Sequence, residues 1–306
     1  MKKIALVSVF IREYNGEEEI QRSFFMIVAI VSFLSVLTAA GICCHTDAFC
    51  TYRWIWQLPV CLVAGFILFT LLSFGFLILI TVFIDPDKQR EKDSPFMRRT
   101  ACRYIRAAMQ LGRIRVHTAG MEKAPTGGRF LLVCNHLSDV DPAILLYLFA
   151  KTPIAFVSKK ENRDMFIVGG IMSKLLCPLI NRENDREALK TILRCVQLLQ
   201  EDTVSVGVFP EGRIPDDRKL RHFRPGVFKI ALKAKVPIVV CTLRNTHRTL
   251  KNVLHLKPTD IDFRLLDVIP YEAIAGENTT QISDRIYGMM AADLGSELVW
   301  QGEENT

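Results

Sequence analysis

The sequence predicts an α/β domain, a largely parallel sheet flanked by helices, preceded by an N-terminal two-helix membrane hairpin. Three observations predict it. From residue 114 onward, short apolar runs alternate with helical patterns, as in strand–helix–strand units. Nearer the start, residues 24–44 and 58–84 contain no charged side chain. The charge is also divided: residues 1–84 carry five basic and five acidic groups, so the whole formal charge of +7 lies beyond them. Half of the 306 residues are hydrophobic and the mean hydropathy is +0.21, which excludes wholesale disorder.

The uncharged stretches set the first boundaries. As helices, 21 and 27 residues would reach roughly 32 and 40 Å, enough for a hydrocarbon core of roughly 30 Å. Residues 1–22 read as an N-terminal cytoplasmic segment and 23–84 as a two-helix anchor. Between the spans stand Tyr52, Trp54 and Trp56, suited to the headgroup region. Residues 85–112 form a basic juxtamembrane helix with Lys88, Arg90, Lys92, Arg98, Arg99, Arg103 and Arg106. That flank belongs inside by the positive-inside rule, so the expected location is the cell membrane with the 113–306 domain on the cytoplasmic face. A hairpin dipping into one leaflet gives the same sidedness.

No signal peptide is expected, because Lys2 and Lys3 precede only a short apolar run and no small-residue cleavage site follows. The nine cysteines are odd in number and lack a C-x-x-C pair, as in a reducing compartment. Cys43, Cys44, His45, Asp47 and Cys50 cluster without zinc-ligand spacing, so no metal is expected.

In the basic half, strands are expected at 114–117, 130–134, 154–158, 178–181, 204–209, 238–243 and 261–269. Helices are expected within 85–112, where Tyr104, Ile105, Met109 and Leu111 make an apolar stripe, and at 142–150, 163–176, 186–199, 227–234 and 280–299. Sheets of this kind place their chemistry in loops beyond the carboxyl ends of strands.

The unusual residues fall in those loops. After strand 130–134 comes Asn135-His136-Leu137-Ser138-Asp139-Val140-Asp141. Asp141 can hold one ring nitrogen of His136 as a donor and leave the other free to take a proton near neutral pH. Before Pro142, Asp141 also suits a plain helix cap. The strand at 204–209 runs into Phe209-Pro210-Glu211-Gly212-Arg213, where a carboxylate is fixed at a turn. Pro178-Leu179-Ile180-Asn181-Arg182 brings an arginine, whose planar fork suits a phosphate monoester, to another strand end.

Together these segments resemble the glycerolipid acyltransferase superfamily, specifically the 1-acyl-sn-glycerol-3-phosphate (lysophosphatidate) acyltransferases. Asn135-His136-x4-Asp141 matches that family's NHx4D block and Phe209–Gly212 its FPEG block. Lys160-Glu161 followed by Arg182 looks like the second block, and Val236-Pro237-Ile238-Val239-Val240 like the fourth. Phe223-Arg224-Pro225-Gly226 resembles the stretch that follows FPEG. Two departures stand out. The family reads FPEG-Thr/Ser-Arg, whereas here Arg213 follows Gly212 and Ile214 holds the arginine position, leaving Arg213, Arg218 and Arg221 as candidates to supply it. The second block has Leu176-Cys177-Pro178-Leu179 in place of Gly-x-x-Phe.

The resemblance implies a membrane-bound O-acyltransferase of phospholipid biosynthesis. It would move an acyl chain from acyl-CoA or acyl-carrier protein to the sn-2 hydroxyl of lysophosphatidate, giving phosphatidate. His136 would be the general base and Asp141 its partner. Asn135, Lys160, Arg182, Glu211, Gly212 and Arg213 would bind substrate. No cofactor is implied beyond the thioester co-substrate. The alternative is a same-fold acyltransferase acting on glycerol 3-phosphate or another lysophospholipid; a non-catalytic membrane-anchored lipid-binding protein is the remote one. No G-x-S-x-G elbow supports a covalent serine route. The positive charge suits anionic lipid and thioester partners and the membrane surface, and no nucleic-acid recognition motif accompanies it.

Overall fold

The computed structural model describes residues 29–88, 90–182 and 184–302. Segment 1–22 and the first residues of the 24–44 stretch lie outside the described residues. The chain divides into two compact units, Met1–Ile84 and Asp85–Thr306.

In the first unit, helix α1 (Ala29–His45) is followed by a 3-10 turn and helix α2 (Trp54–Val82). The helices approach closely where Gly65 leaves room: a Cβ there would stand 3.3 Å from the Cα of Ser35. Only α2, among the described residues, is long and apolar enough to cross a membrane. The first expected span, residues 24–44, lies partly outside the described residues; from residue 29 to residue 44 it is helical. α2 starts ahead of residue 58, so Trp54 and Trp56 form its first turn.

The second unit opens with helix α3 (Pro95–Leu111), capped by Ser94 Oγ, which accepts the Met97 N–H at 3.3 Å. Its Met97, Ala101 and Met109 turn inward, while Leu111, expected on the apolar stripe, is exposed. Arg98 anchors α3 to the sheet: it pairs with Asp93 at 2.8 Å and donates to the Ile154 carbonyl at 2.8 Å. Residues 85–112 are thus built into the same unit as the sheet.

Among the described residues eight strands follow: β1 (Ile114–Ala119), β2 (Leu131–Cys134), β3 (Ile154–Phe156), β4 (Ser158–Lys159), β5 (Leu179–Ile180), β6 (Ser205–Val208), β7 (Ile238–Arg244) and β8 (Thr259–Ile269). Six form one sheet in the order β1-β8-β7-β2-β6-β3; β4 and β5 pair separately. All pairings are parallel except β7 with β8. β2, β3 and β6 are wholly buried, and β7 nearly so, which is why they read as continuous apolar runs. β8 alternates buried and exposed residues over its first half, as a half-covered strand does.

Helices α4 (Asp141–Leu148), α5 (Val168–Lys174), α6 (Asp185–Gln200), α7 (Lys229–Ala234), α8 (Thr249–Leu254) and α9 (Thr279–Leu294) complete the unit. One apolar cluster joins β2, β6 and β7 to α6, α7 and α9; a second joins the other face of β2 and β7 to β3, β8, Ile144, Leu145 and Phe149.

Three expected elements are cut short. The strand at 154–158 changes partner after Val157, whose N–H donates to Gly207, while Ser158 donates to Pro178. The helix at 163–176 is reduced to α5, because Ile167 takes φ 65° and breaks the α-helical turn. The closing helix stops at Leu294, where Gly295 takes φ 79°, and Val299 then bridges back to Leu220.

Candidate active site

The site forms where β2 and β6 end side by side. Beyond Cys134, Asn135 takes over the pairing with β7: its Nδ2–H donates to the Leu243 carbonyl at 3.0 Å and its Oδ1 accepts the Leu243 N–H at 2.8 Å. Its amide is engaged with backbone and fully buried. Asn135 therefore extends the sheet by one side chain and fixes where the next residue leaves it.

That next residue is His136. Its Nδ1 lies 2.8 Å from Asp141 Oδ2, and Asp141 is completely buried. The same oxygen accepts the N–H groups of Leu137 at 2.7 Å and Ser138 at 2.8 Å. Asp141 opens α4, and its side chain reaches back to gather the loop. A carboxylate accepts only, so Nδ1 carries the ring proton and Nε2 keeps its lone pair. About 15% of the His136 side chain is exposed, which leaves the ring accessible.

The ring is also held from its face. His136 stacks on Phe209 at 4.1 Å, and Phe209 stacks on Phe156 at 5.7 Å. Phe156 lies against Gly207, where an added Cβ would meet its ring at 2.3 Å. Hence a glycine in β6 is what admits the aromatic stack.

Glu211 holds the same loop from below. Its Oε1 accepts the His136 N–H at 2.8 Å and its Oε2 the Arg221 N–H at 3.2 Å. Burial pushes its carboxyl up to about 8, against the opposing pull of these two amides. With one backbone N–H on each oxygen, Glu211 ties two loops together. Gly212 takes φ 76°, and the Arg224 side chain lies over it.

The expected cations separate. Arg182 is half-buried, and burial together with the neighbouring Arg224 charge lowers its pKa while Glu161 opposes. Arg213 is exposed. Lys160 pairs with Glu187 at 3.6 Å, and Glu187 Oε2 also accepts from Asn181 Nδ2 at 3.0 Å. Arg218 donates to the Leu137 carbonyl at 3.1 Å. His247, in the turn after β7, has its pKa lowered by partial burial, Arg248 and Arg218, with Asp141 opposing.

Sequence reasoning had no means to find the Phe209 stack, His247 or the position of Arg224, because no local pattern joins them to His136. Among the described residues no group of three or more potential metal ligands occurs.

A family model described as Acyltransferase matches residues 113–244. A 1-acyl-sn-glycerol-3-phosphate acyltransferase of Borreliella burgdorferi is 27% identical over 191 residues, 61% of this chain and 75% of that protein. A protein of the same name from Chlamydomonas reinhardtii is 31% identical over 193 residues, 62% of this chain and 56% of that one. A probable one from Mycoplasma pneumoniae is 36% identical over 117 residues but spans only 37% and 43%. In fold, the chain is similar to the crystal structure of the lysophosphatidate acyltransferase PlsC from Thermotoga maritima. The TM-score is 0.55 at 20% identity, covering 75% of this chain and 90% of that one.

Proposed function

We propose that this chain, which is similar to named 1-acyl-sn-glycerol-3-phosphate acyltransferases, acylates the sn-2 hydroxyl of 1-acyl-glycerol 3-phosphate from an acyl thioester, giving phosphatidate. The observation that carries the reading is the buried Asp141 carboxylate 2.8 Å from Nδ1 of a partly exposed His136. Nε2 takes the acceptor hydroxyl proton as that oxygen attacks the thioester carbonyl. The tetrahedral adduct collapses with loss of the thiolate, which recovers the proton from the imidazolium. Asp141 stabilises the imidazolium through the charge it places beside Nδ1. No protein nucleophile is needed, since the acceptor supplies the oxygen.

The half-buried Arg182 suits the acceptor phosphate, because a guanidinium binds phosphate oxygens two at a time. The apolar helix α2 supports membrane attachment, and the basic residues after it favour a cytoplasmic catalytic unit. The same chemistry accepts acyl-CoA or acyl-carrier protein as donor.

The test is an acceptor panel with purified full-length protein and labelled acyl-CoA: lysophosphatidate, glycerol 3-phosphate, lysophosphatidylcholine and lysophosphatidylethanolamine. Lysophosphatidate is expected to be the preferred acceptor, and His136→Ala to lower kcat by about 10²–10⁴-fold while the protein stays folded and membrane-associated. Preference for another acceptor overturns the substrate assignment. Near-normal turnover of His136→Ala overturns the general base.

A further inference from the structure

From residue 213 to residue 224 the chain runs without helix or strand, so contacts with other segments set its course. Two of its residues hold the His136 loop. Arg218 Nη1 donates to the Leu137 carbonyl at 3.1 Å. The Arg221 N–H donates to Glu211 Oε2 at 3.2 Å, and Glu211 Oε1 accepts the His136 N–H at 2.8 Å.

Leu220 lies between those two residues and is buried. Its N–H donates to the Leu298 carbonyl at 2.8 Å, and its carbonyl accepts the Trp300 N–H at 3.2 Å. The two bonds make a parallel bridge to Val299, in the segment that follows α9. Both backbone groups of Leu220 are therefore taken by that segment. Arg221 adds a side-chain contact: its Cζ lies 4.4 Å from the centre of the Trp300 ring, while its Nη2 donates to Asp217 at 2.9 Å. A guanidinium over an indole face is attracted by the ring quadrupole, more strongly when shielded from water. Only 26% of the Arg221 side chain is exposed. Leu298 and Val299 pack on the core cluster that contains the inner face of α9, so the segment is anchored independently of the indole.

We propose that Trp300 is a positioning residue for His136: with Leu298 it clamps Leu220 and Arg221, and so holds in place the N–H that Glu211 binds. The inference rests on the acyltransferase reading and deepens it. Removing the ring frees Arg221, its N–H leaves Oε2, and the carboxylate that carries the His136 N–H loses its second tie. The histidine then wanders from the geometry that proton transfer needs. Trp300 lies outside the catalytic pair and touches neither His136 nor Asp141 through any bond described above.

The test uses the full chain in two measurements: turnover of lysophosphatidate with labelled acyl-CoA, and amide hydrogen exchange without substrate. Trp300→Leu is expected to lower kcat about tenfold, with both KM values within about twofold of wild type. Trp300→Phe keeps a ring under the guanidinium and should recover kcat to within about threefold. In a Glu211→Gln background, Trp300→Leu should cost less than about twofold, because the path it acts through is already broken. In exchange, the peptide carrying His136 and Leu137 should open about fivefold faster or more in Trp300→Leu, with β2 unchanged.

If wild type transfers no acyl group to lysophosphatidate, the functional reading fails, and faster exchange at His136 in Trp300→Leu still upholds the clamp. Unchanged exchange there overturns it. A tenfold loss that persists in the Glu211→Gln background overturns it too, as does a raised acceptor KM at unchanged kcat. Should Trp300→Leu not fold by thermal melt, Arg221→Gln is judged by the same criteria, with Arg221→Lys as its conservative counterpart. That variant removes the guanidinium and leaves the Leu220 bridge in place.

Discussion

The backbone N–H of His136 donates to the Glu211 carboxylate at 2.8 Å, across 75 residues of chain. Because Oε2 takes the Arg221 N–H, the two oxygens serve two donors. A glutamine has one acceptor oxygen and must turn its NH₂ toward the other N–H. Glu211→Gln is therefore expected to displace His136 and lower kcat by about 10–100-fold, the scale on which a lost buried hydrogen bond of about 1–3 kcal/mol acts. The acceptor KM should change little. Steady-state kinetics decide it: a raised KM at unchanged kcat would return Glu211 to the substrate.

Asp141→Asn keeps the shape of the loop and removes the charge. Its carbonyl oxygen can still accept from Leu137 and Ser138, while the side chain can no longer steady an imidazolium. The expected fall in kcat is about 10²–10⁴-fold, as when the carboxylate of a histidine pair is neutralised. Circular dichroism should be unchanged. A kcat within threefold of wild type would sink the mechanism.

The Glu211 carboxyl also makes stability depend on pH. Its folded pKa is about 8 against an ordinary value of 4.5. The folded chain thus holds this proton more tightly than the unfolded chain. That contribution is complete below pH 4.5 and is lost as pH rises through 8. Denaturant titrations between pH 5 and 8.5 should show wild type losing on the order of a few kcal/mol relative to Glu211→Gln. Parallel profiles would refute the burial effect.

Leu176 and Lys235 both take positive φ, 61° and 55°. A glycine relieves about 1 kcal/mol at such a position. Leu176 is buried, and emptying its site costs about 2–5 kcal/mol; packing wins and Leu176→Gly should destabilise. Lys235 is exposed beyond α7, so nothing offsets the relief there. Lys235→Gly should stabilise by up to about 1 kcal/mol. Urea midpoints of the two variants check both signs, and a shift of the same sign in both contradicts the account.

Gly207→Ala drives a methyl into the Phe156 ring. Overpacking of this kind costs about 1–3 kcal/mol, and it should misalign the Phe209–His136 stack. A lower Tm is expected, largely recovered in the double variant with Phe156→Leu. Full stability in the single variant would show that the ring moves freely.

The glycine expected in the second block shows how far residues can be read alone. Leu176 stands in its place, and only the backbone reveals why a glycine suits it: the chain turns there with φ 61° before entering β5. The Ile167 break is of the same kind. The apolar pattern of 163–176 continues through it, because periodicity records which side chains are apolar and not where φ changes sign.

The pair His136 and Asp141 was legible because their link is local: strand end, tight loop and first helical residue leave five positions little freedom. The strands were legible because buried parallel strands must be apolar throughout. What only the tertiary structure decided depends on contacts between segments distant in the chain. β8 runs antiparallel to β7, and Asn135 and Glu211 each bond backbone from a distant segment. Arg224 came to lie over Gly212 while Arg213 stayed exposed. Sequence by itself determined the sheet and the pairing of His136 with Asp141. Packing decided which polar groups hold the loops, because their partners come from segments far apart in the chain.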